Sequence, residues 1–152
     1  MKQTALTAFR ALVEPVLRRP EFVQAAALCT RTGAKGVEVL LVTSLSSRRW
    51  IVPKGWPMEG RSLAQAALQE AWEEAGVKGT VDETAIGSYG YQKLVKGGVP
   101  ISCRCSVYRI EVEDLAETWP EMDRRKRRWM RPAEAARLVG EGELRDLIRG
   151  LG

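Results

Sequence analysis

The strongest constraint on this chain is the stretch 55–77, GWPMEGRSLAQAALQEAWEEAGV. It opens as a loop rich in Pro and Gly and then takes on helical periodicity. Ser62 is placed to cap the helix, because its hydroxyl can accept from the free N–H groups of the first turn. Gly76 is placed to end it, since glycine takes the left-handed conformation that closes helices. At about 100° per residue, Ala64, Leu68, Ala71, Trp72 and Ala75 fall on one side as a core face. Glu70, Glu73 and Glu74 fall together on the other.

Three carboxylates within one turn repel one another, at roughly a few tenths of a kcal/mol per pair. They also occupy the last two turns, where the helix dipole disfavours negative charge. No basic residue within the helix relieves them. A hard divalent cation would, and clustered carboxylate oxygens suit Mg²⁺ or Mn²⁺. The plain alternative is a solvated acidic face.

The same residues decide between these readings. The segment resembles the Nudix box, matching it at Gly55, Glu70, Ala71, Glu73, Glu74, Gly76 and Val77, with the lead-in Trp50-Ile51-Val52-Pro53-Lys54 also in register. Two positions depart: Arg61 stands where the family has its first Glu, and Gln69 where it has Arg. The resemblance implies an α/β fold of the Nudix type, an α/β/α sandwich around a mixed β-sheet.

Composition bounds the rest. A chain of 152 residues with 45% hydrophobic content can bury one sizeable core. No apolar run reaches the ~20 residues that span a bilayer, and residues 1–19 lack the pattern of a secretory signal. A cytoplasmic protein without a membrane partner is the expectation. The formal charge of +5 favours anionic partners. Histidine is absent, which excludes a Ser-His-Asp arrangement and His-ligated zinc. Cys29, Cys103 and Cys105 form no CxxC pair and read as buried thiols.

Residues 3–19 carry an apolar stripe and read as an N-terminal helical extension, residues 1–20, ahead of a single domain at 21–152. Strands are expected at 22–30 and 37–44 around a turn with two glycines, and at 48–52, where Pro53 stops the pairing. The second is apolar on both faces, as in a sheet covered by helices on both sides. Further strands are expected near 86–94 and 100–112, joined by a hairpin at Lys96-Gly97-Gly98. Residues 113–123 read as an acidic loop. Pro132 starts a helix to about Val139, and 143–149 forms a closing helix. The run Arg124-Arg125-Lys126-Arg127-Arg128 is either a solvated lead-in to an edge strand or a phosphate-binding patch. Nucleic-acid binding is the weaker third reading, because aromatics beyond Trp129 are lacking.

The resemblance also implies an activity: hydrolysis of a phosphoanhydride bond in an anionic small molecule carrying a diphosphate, with Mg²⁺ or Mn²⁺. Carried over position by position, Glu73 and Glu74 are metal ligands, Glu70 is a ligand or the general base, and Gly55 supplies a carbonyl. Lys54, Arg48 and Arg49 stand where they could reach phosphate oxygens. Gln69 lacks the charge of the family's Arg but can still donate a hydrogen bond, and Arg61 reads as facing water. A weakened metal affinity is expected from the two departures. Residues 22–139 resemble the diphosphoinositol polyphosphate phosphohydrolase branch, which also cleaves diadenosine polyphosphates. The basic residues of that branch reduce here to Arg104 on the 100–108 strand, with Phe22, Val23 and Gln24 opening the first. The alternative from another class is a Nudix-fold module that binds a phosphorylated ligand or nucleic acid without cutting it.

Overall fold

The computed structural model describes residues 21–95 and 97–151; the expected helix at 3–19 and Lys96 of the hairpin lie outside them. Among the described residues, eight strands and three helices follow in chain order. These are β1 (Phe22–Gly33), β2 (Gly36–Thr43), β3 (Trp50–Ile51), β4 (Lys54–Gly55), α1 (Leu63–Ala75), β5 (Val77–Val81), β6 (Gly87–Lys93), β7 (Ile101–Leu115), β8 (Arg127–Met130), α2 (Pro132–Leu138) and α3 (Gly142–Arg149).

All eight strands join one mixed sheet. Among the described residues only β1 and β7 run parallel, with Phe22 opposite Cys103 and Thr30 opposite Glu111. Both strands lie inside the sheet, so their side chains alternate between two cores. Ala25, Ala27 and Cys29 enter the core under α1, beside Ala64, Ala67, Ala71 and Ala75. Ala26 and Leu28 enter the other, with Cys105, Val107, Ala135, Leu144 and Ile148 under α2 and α3. That is the α/β/α sandwich expected. Methyl groups on both β1 and α1 let the helix sit close to the sheet. Leu28, Leu40, Leu41 and Ile110 are fully buried, each contributing about 1.5–3 kcal/mol. The three cysteines are buried and unpaired.

Several boundaries move. Strand β7 runs to Leu115, three residues into the stretch whose acidity predicts a loop, and its far end pairs with β5 over Val77–Val81. That extra strand alternates Val77, Gly79 and Val81 against the more exposed Lys78 and Thr80, but it is five residues long and exists because β7 extends beside it. Arg48 sits at φ 56, outside strand geometry, which confines β3 to Trp50–Ile51. Pro53 does not stop the pairing: its carbonyl accepts from Ala27 N–H at 2.8 Å, and Lys54–Gly55 then pairs with β1. This short β4 holds Gly55 against the sheet beneath the acidic helix.

Candidate active site

The acidic helix is fixed at both ends. Ser62 Oγ accepts from Gln65 N–H at 3.1 Å, while Gln65 Oε1 accepts from Ser62 N–H at 3.0 Å; this reciprocal cap satisfies two free donors. Gly76 ends the helix at φ 66, its N–H donating to Trp72 O at 2.9 Å. The last turn contains no basic residue, so its negative end must be answered from elsewhere. The segment after β7 does this. Glu121 N–H donates to Glu73 O at 3.0 Å, Trp119 Nε1 to Glu74 O at 3.0 Å and Arg127 Nη1 to Ala75 O at 2.8 Å. The Arg127 guanidinium also lies 3.7 Å from the Trp119 ring centre.

The three carboxylates have three environments. Glu74 is 2% exposed, against its expected place on the outward face. Its Oε2 accepts from Lys54 N–H at 2.9 Å, and its Oε1 pairs with Arg125 Nη2 at 2.9 Å. Arg125 also contacts Glu121 Oε1 at 3.0 Å and donates to Thr43 O at 3.0 Å. Burial pushes Glu74 up to about 8, with Arg125 and Lys54 pulling the other way and Glu70 adding to the rise.

Glu70 rests on Gly55. A methyl group built there would lie 2.2 Å from Glu70 Oε1, so only glycine allows the carboxylate this close to the backbone. Burial, and then the charge of Glu73, push Glu70 up to about 7. Glu73 accepts from Gln69 Nε2 at 3.1 Å, and Gln69 Oε1 accepts in turn from Arg61 Nη1 at 3.0 Å. The two departures from the box therefore touch each other and end on a carboxylate; Arg61 does not simply face water.

Lys54 places its Nζ 5.0 Å from the Tyr91 ring centre. Burial lowers its pKa, opposed chiefly by the Glu74 charge. The structure thus gathers Gly55, Glu70, Glu73, Glu74 and Lys54. Arg49 is ion-paired to Glu141 at 3.0 Å. Arg48 donates to Arg124 O at 2.8 Å, and Arg104 lies between Glu21 at 3.2 Å and Glu143 at 3.4 Å. Arg125 and Glu121 belong to the site without any local sign in the sequence. The one hint is a helix whose excess charge nothing nearby balances.

Among the described residues, no three acidic or cysteine side chains stand in ion-holding geometry. The donor chemistry still fits a divalent cation: Glu70 and Glu73 are hard oxygen donors one turn apart, and mutual repulsion is one of the causes holding Glu70 up. The basic run is neither of its two readings alone. It forms β8, whose only strand partner among the described residues is β2, and it clamps α1.

An acidic helix laid over a glycine in a mixed sheet, with helices on both faces, defines the α/β class of this domain, and known proteins share it. The family model of the NUDIX domain matches residues 22–151, and the chain belongs to that family. Nudix hydrolase 13, mitochondrial, of Arabidopsis thaliana is 32% identical over 111 residues, covering 67% of this chain and 53% of the relative. Human diphosphoinositol polyphosphate phosphohydrolase 3-alpha is 31% identical over 118 residues, 76% of this chain and 68% of the relative. The chain spans about half the length of the first of these. The solved structure of the C. elegans Ap4A hydrolase shares the fold at a TM-score of 0.61 and 23% identity, over 86% of this chain and 95% of that one.

Proposed function

We propose that the protein is a divalent-metal-dependent pyrophosphohydrolase that cleaves a phosphoanhydride bond in a small anionic molecule. The observation that carries this reading is the seat of Glu70 on Gly55, with Glu73 and Glu74 anchored in separate ways on the same helix. Glu70, Glu73, Glu74 and the Gly55 carbonyl would hold Mg²⁺ or Mn²⁺. Such an ion neutralises the diphosphate and lowers the pKa of a bound water. Glu70 alternatively stands outside the ion's shell and takes a proton from the attacking water. Gln69 and Arg125 hold Glu73 and Glu74 in place. Lys54 makes no ion pair within 4 Å among the described residues, and its ammonium is the cation of the site best placed to donate to a phosphate oxygen. Arg48, Arg49 and Arg104 would have to leave their present partners to do so.

The named activities of the relatives make diphosphoinositol polyphosphates and diadenosine polyphosphates the substrates to test first. A cytoplasmic location is part of the proposal, supported by three buried, unpaired thiols. The test is product release from a panel of both substrate classes, nucleotide sugars and nucleoside triphosphates, with Mg²⁺ and with Mn²⁺. Glu70→Gln should lower kcat by roughly 10²–10⁴-fold. Turnover unchanged in that variant would remove the assigned role. A second reading, a domain that binds its ligand uncut, draws on the full engagement of both Glu74 oxygens; no turnover of any panel member would favour it.

A further inference from the structure

We propose that the groove between α1 and β5 is a second ligand site, taking a small anion with an aromatic body, and that its occupancy weakens metal binding on the acidic helix. The groove stands on its own geometry; the coupling rests on the metal reading given above. A cavity of about 630 Å³ opens there, within the roughly 300–1,000 Å³ that holds small molecules. Gln65, Leu68, Gln69 and Trp72, recurring at helical steps of three and four, form one wall. Val77, Lys78 and Gly79 of β5 form the other. Trp72 belongs by sequence to the core face, yet it is half-buried and lines this cavity. Glu70 meets Gly55 at β4, whereas the groove borders β5, so the two sites share the helix and little else.

Charge says what fits. Arg61 reaches Gln69, one turn before Trp72, and Lys78 Nζ lies 5.8 Å from the Trp72 ring centre. Both cations therefore come to the stretch of helix around the indole. Neither enters an ion pair within 4 Å among the described residues, and no described carboxylate lines this cavity. Past Trp72 the surface turns acidic, with Asp114 and Glu117 on a neighbouring cavity, which keeps an anionic group on the Arg61 side. An indole beside two cations that no carboxylate answers suits a flat ring bearing a sulfonate, carboxylate or phosphate.

The link to the metal runs through Arg61. Its Nη1 donates to Gln69 Oε1 at 3.0 Å, and Gln69 Nε2 donates to Glu73 Oε1 at 3.1 Å. An anion that draws Arg61 away frees the Gln69 amide to turn, so Glu73 loses the donor that holds it. Anion and metal should therefore oppose each other, by the same factor in both directions.

The test titrates anilinonaphthalene sulfonate, a flat ring system with one sulfonate, into the full chain and follows the dye's fluorescence. Its uncharged counterpart, phenylnaphthylamine, is the control. The sulfonate should bind about tenfold more tightly than the uncharged compound, and Lys78→Ala should remove most of that advantage. The same variant should leave Mn²⁺ affinity unchanged when no dye is present, whereas Trp72→Leu should weaken both compounds. Saturating Mn²⁺ should raise the dye's Kd several-fold. Saturating dye should weaken Mn²⁺ binding, read from its paramagnetic resonance signal, by the same factor. Equal binding of the charged and uncharged compounds would overturn the site. So would a dye affinity that survives Lys78→Ala and is lost in Leu94→Ser, at an apolar side chain 82% exposed elsewhere on the surface. Dye and Mn²⁺ that bind without affecting each other would overturn the coupling. A chain that binds the dye as described, binds no Mn²⁺ and turns over nothing would overturn the hydrolase reading and leave the groove as a site.

Discussion

At the scale of single residues, the site depends on one missing methyl group. Gly55→Ala would place a carbon 2.2 Å from Glu70 Oε1, and the flexible carboxylate, not the sheet, would give way. Activity should therefore fall by about 10²-fold, as expected for a catalytic group displaced by ~1 Å, while the thermal midpoint stays within a few degrees. A steep loss of Tm would mean that Gly55 supports the fold and not the geometry of Glu70. Gln69 makes a related case. It has no charge, yet its amide donates to Glu73 and its oxygen is held by Arg61. Gln69→Leu removes the donor and leaves the helix face apolar enough to fold. The concentration of Mg²⁺ giving half-maximal activity should rise several-fold, and an unchanged value would show that Glu73 needs no such support.

At the scale of elements, α1 and its clamp divide what could be read in sequence from what could not. The caps were legible, because Ser62 and Gly76 act through neighbours three to four residues away. Ser62→Ala should cost about 1 kcal/mol, a fall of roughly 2–4 °C in Tm for a domain of this size. The burial of Glu74 was not legible. Its helical angle puts it with Glu70 and Glu73, and only Arg125, 51 positions later, makes an interior place tolerable. Arg125 stands in a run of five basic residues, and nothing local distinguishes the one that turns inward. Strand β5 failed for the same reason: its partner is the far end of β7. The Arg125–Glu74 pair also yields a sharp test. Arg125→Met leaves a buried carboxylate without its cation, which should destabilise the fold by about 3–5 kcal/mol. Adding Glu74→Leu should recover much of that loss in chemical denaturation. Two additive losses would mean that the pair is not coupled.

At the scale of the whole molecule, the sheet forces acidic groups into places that water would not choose, and this sets how the fold responds to pH. The β1 and α1 alanines bring helix and sheet together, and Gly55 and Lys54 then meet Glu70 and Glu74 at that seam. Both carboxyls are raised from 4.5, to about 7 and about 8, burial being the first cause of each. The folded protein therefore holds these two protons more tightly than the unfolded chain does. Their contribution to stability is complete below about pH 4.5 and is lost as pH climbs through 7 and 8. A cation bound among deprotonated carboxylates opposes that loss, and it binds better as the competing protons leave. Ligand binding raises stability in proportion to RT ln(1 + [L]/Kd), so excess Mg²⁺ should raise Tm little at pH 6 and markedly at pH 8.5. Without metal, Tm should fall over the same interval. In Glu70→Gln the metal-dependent rise should shrink, because a ligand and a titrating group disappear together. An equal Mg²⁺ effect at both pH values, or one unaltered by that substitution, would place the cation somewhere other than this seam.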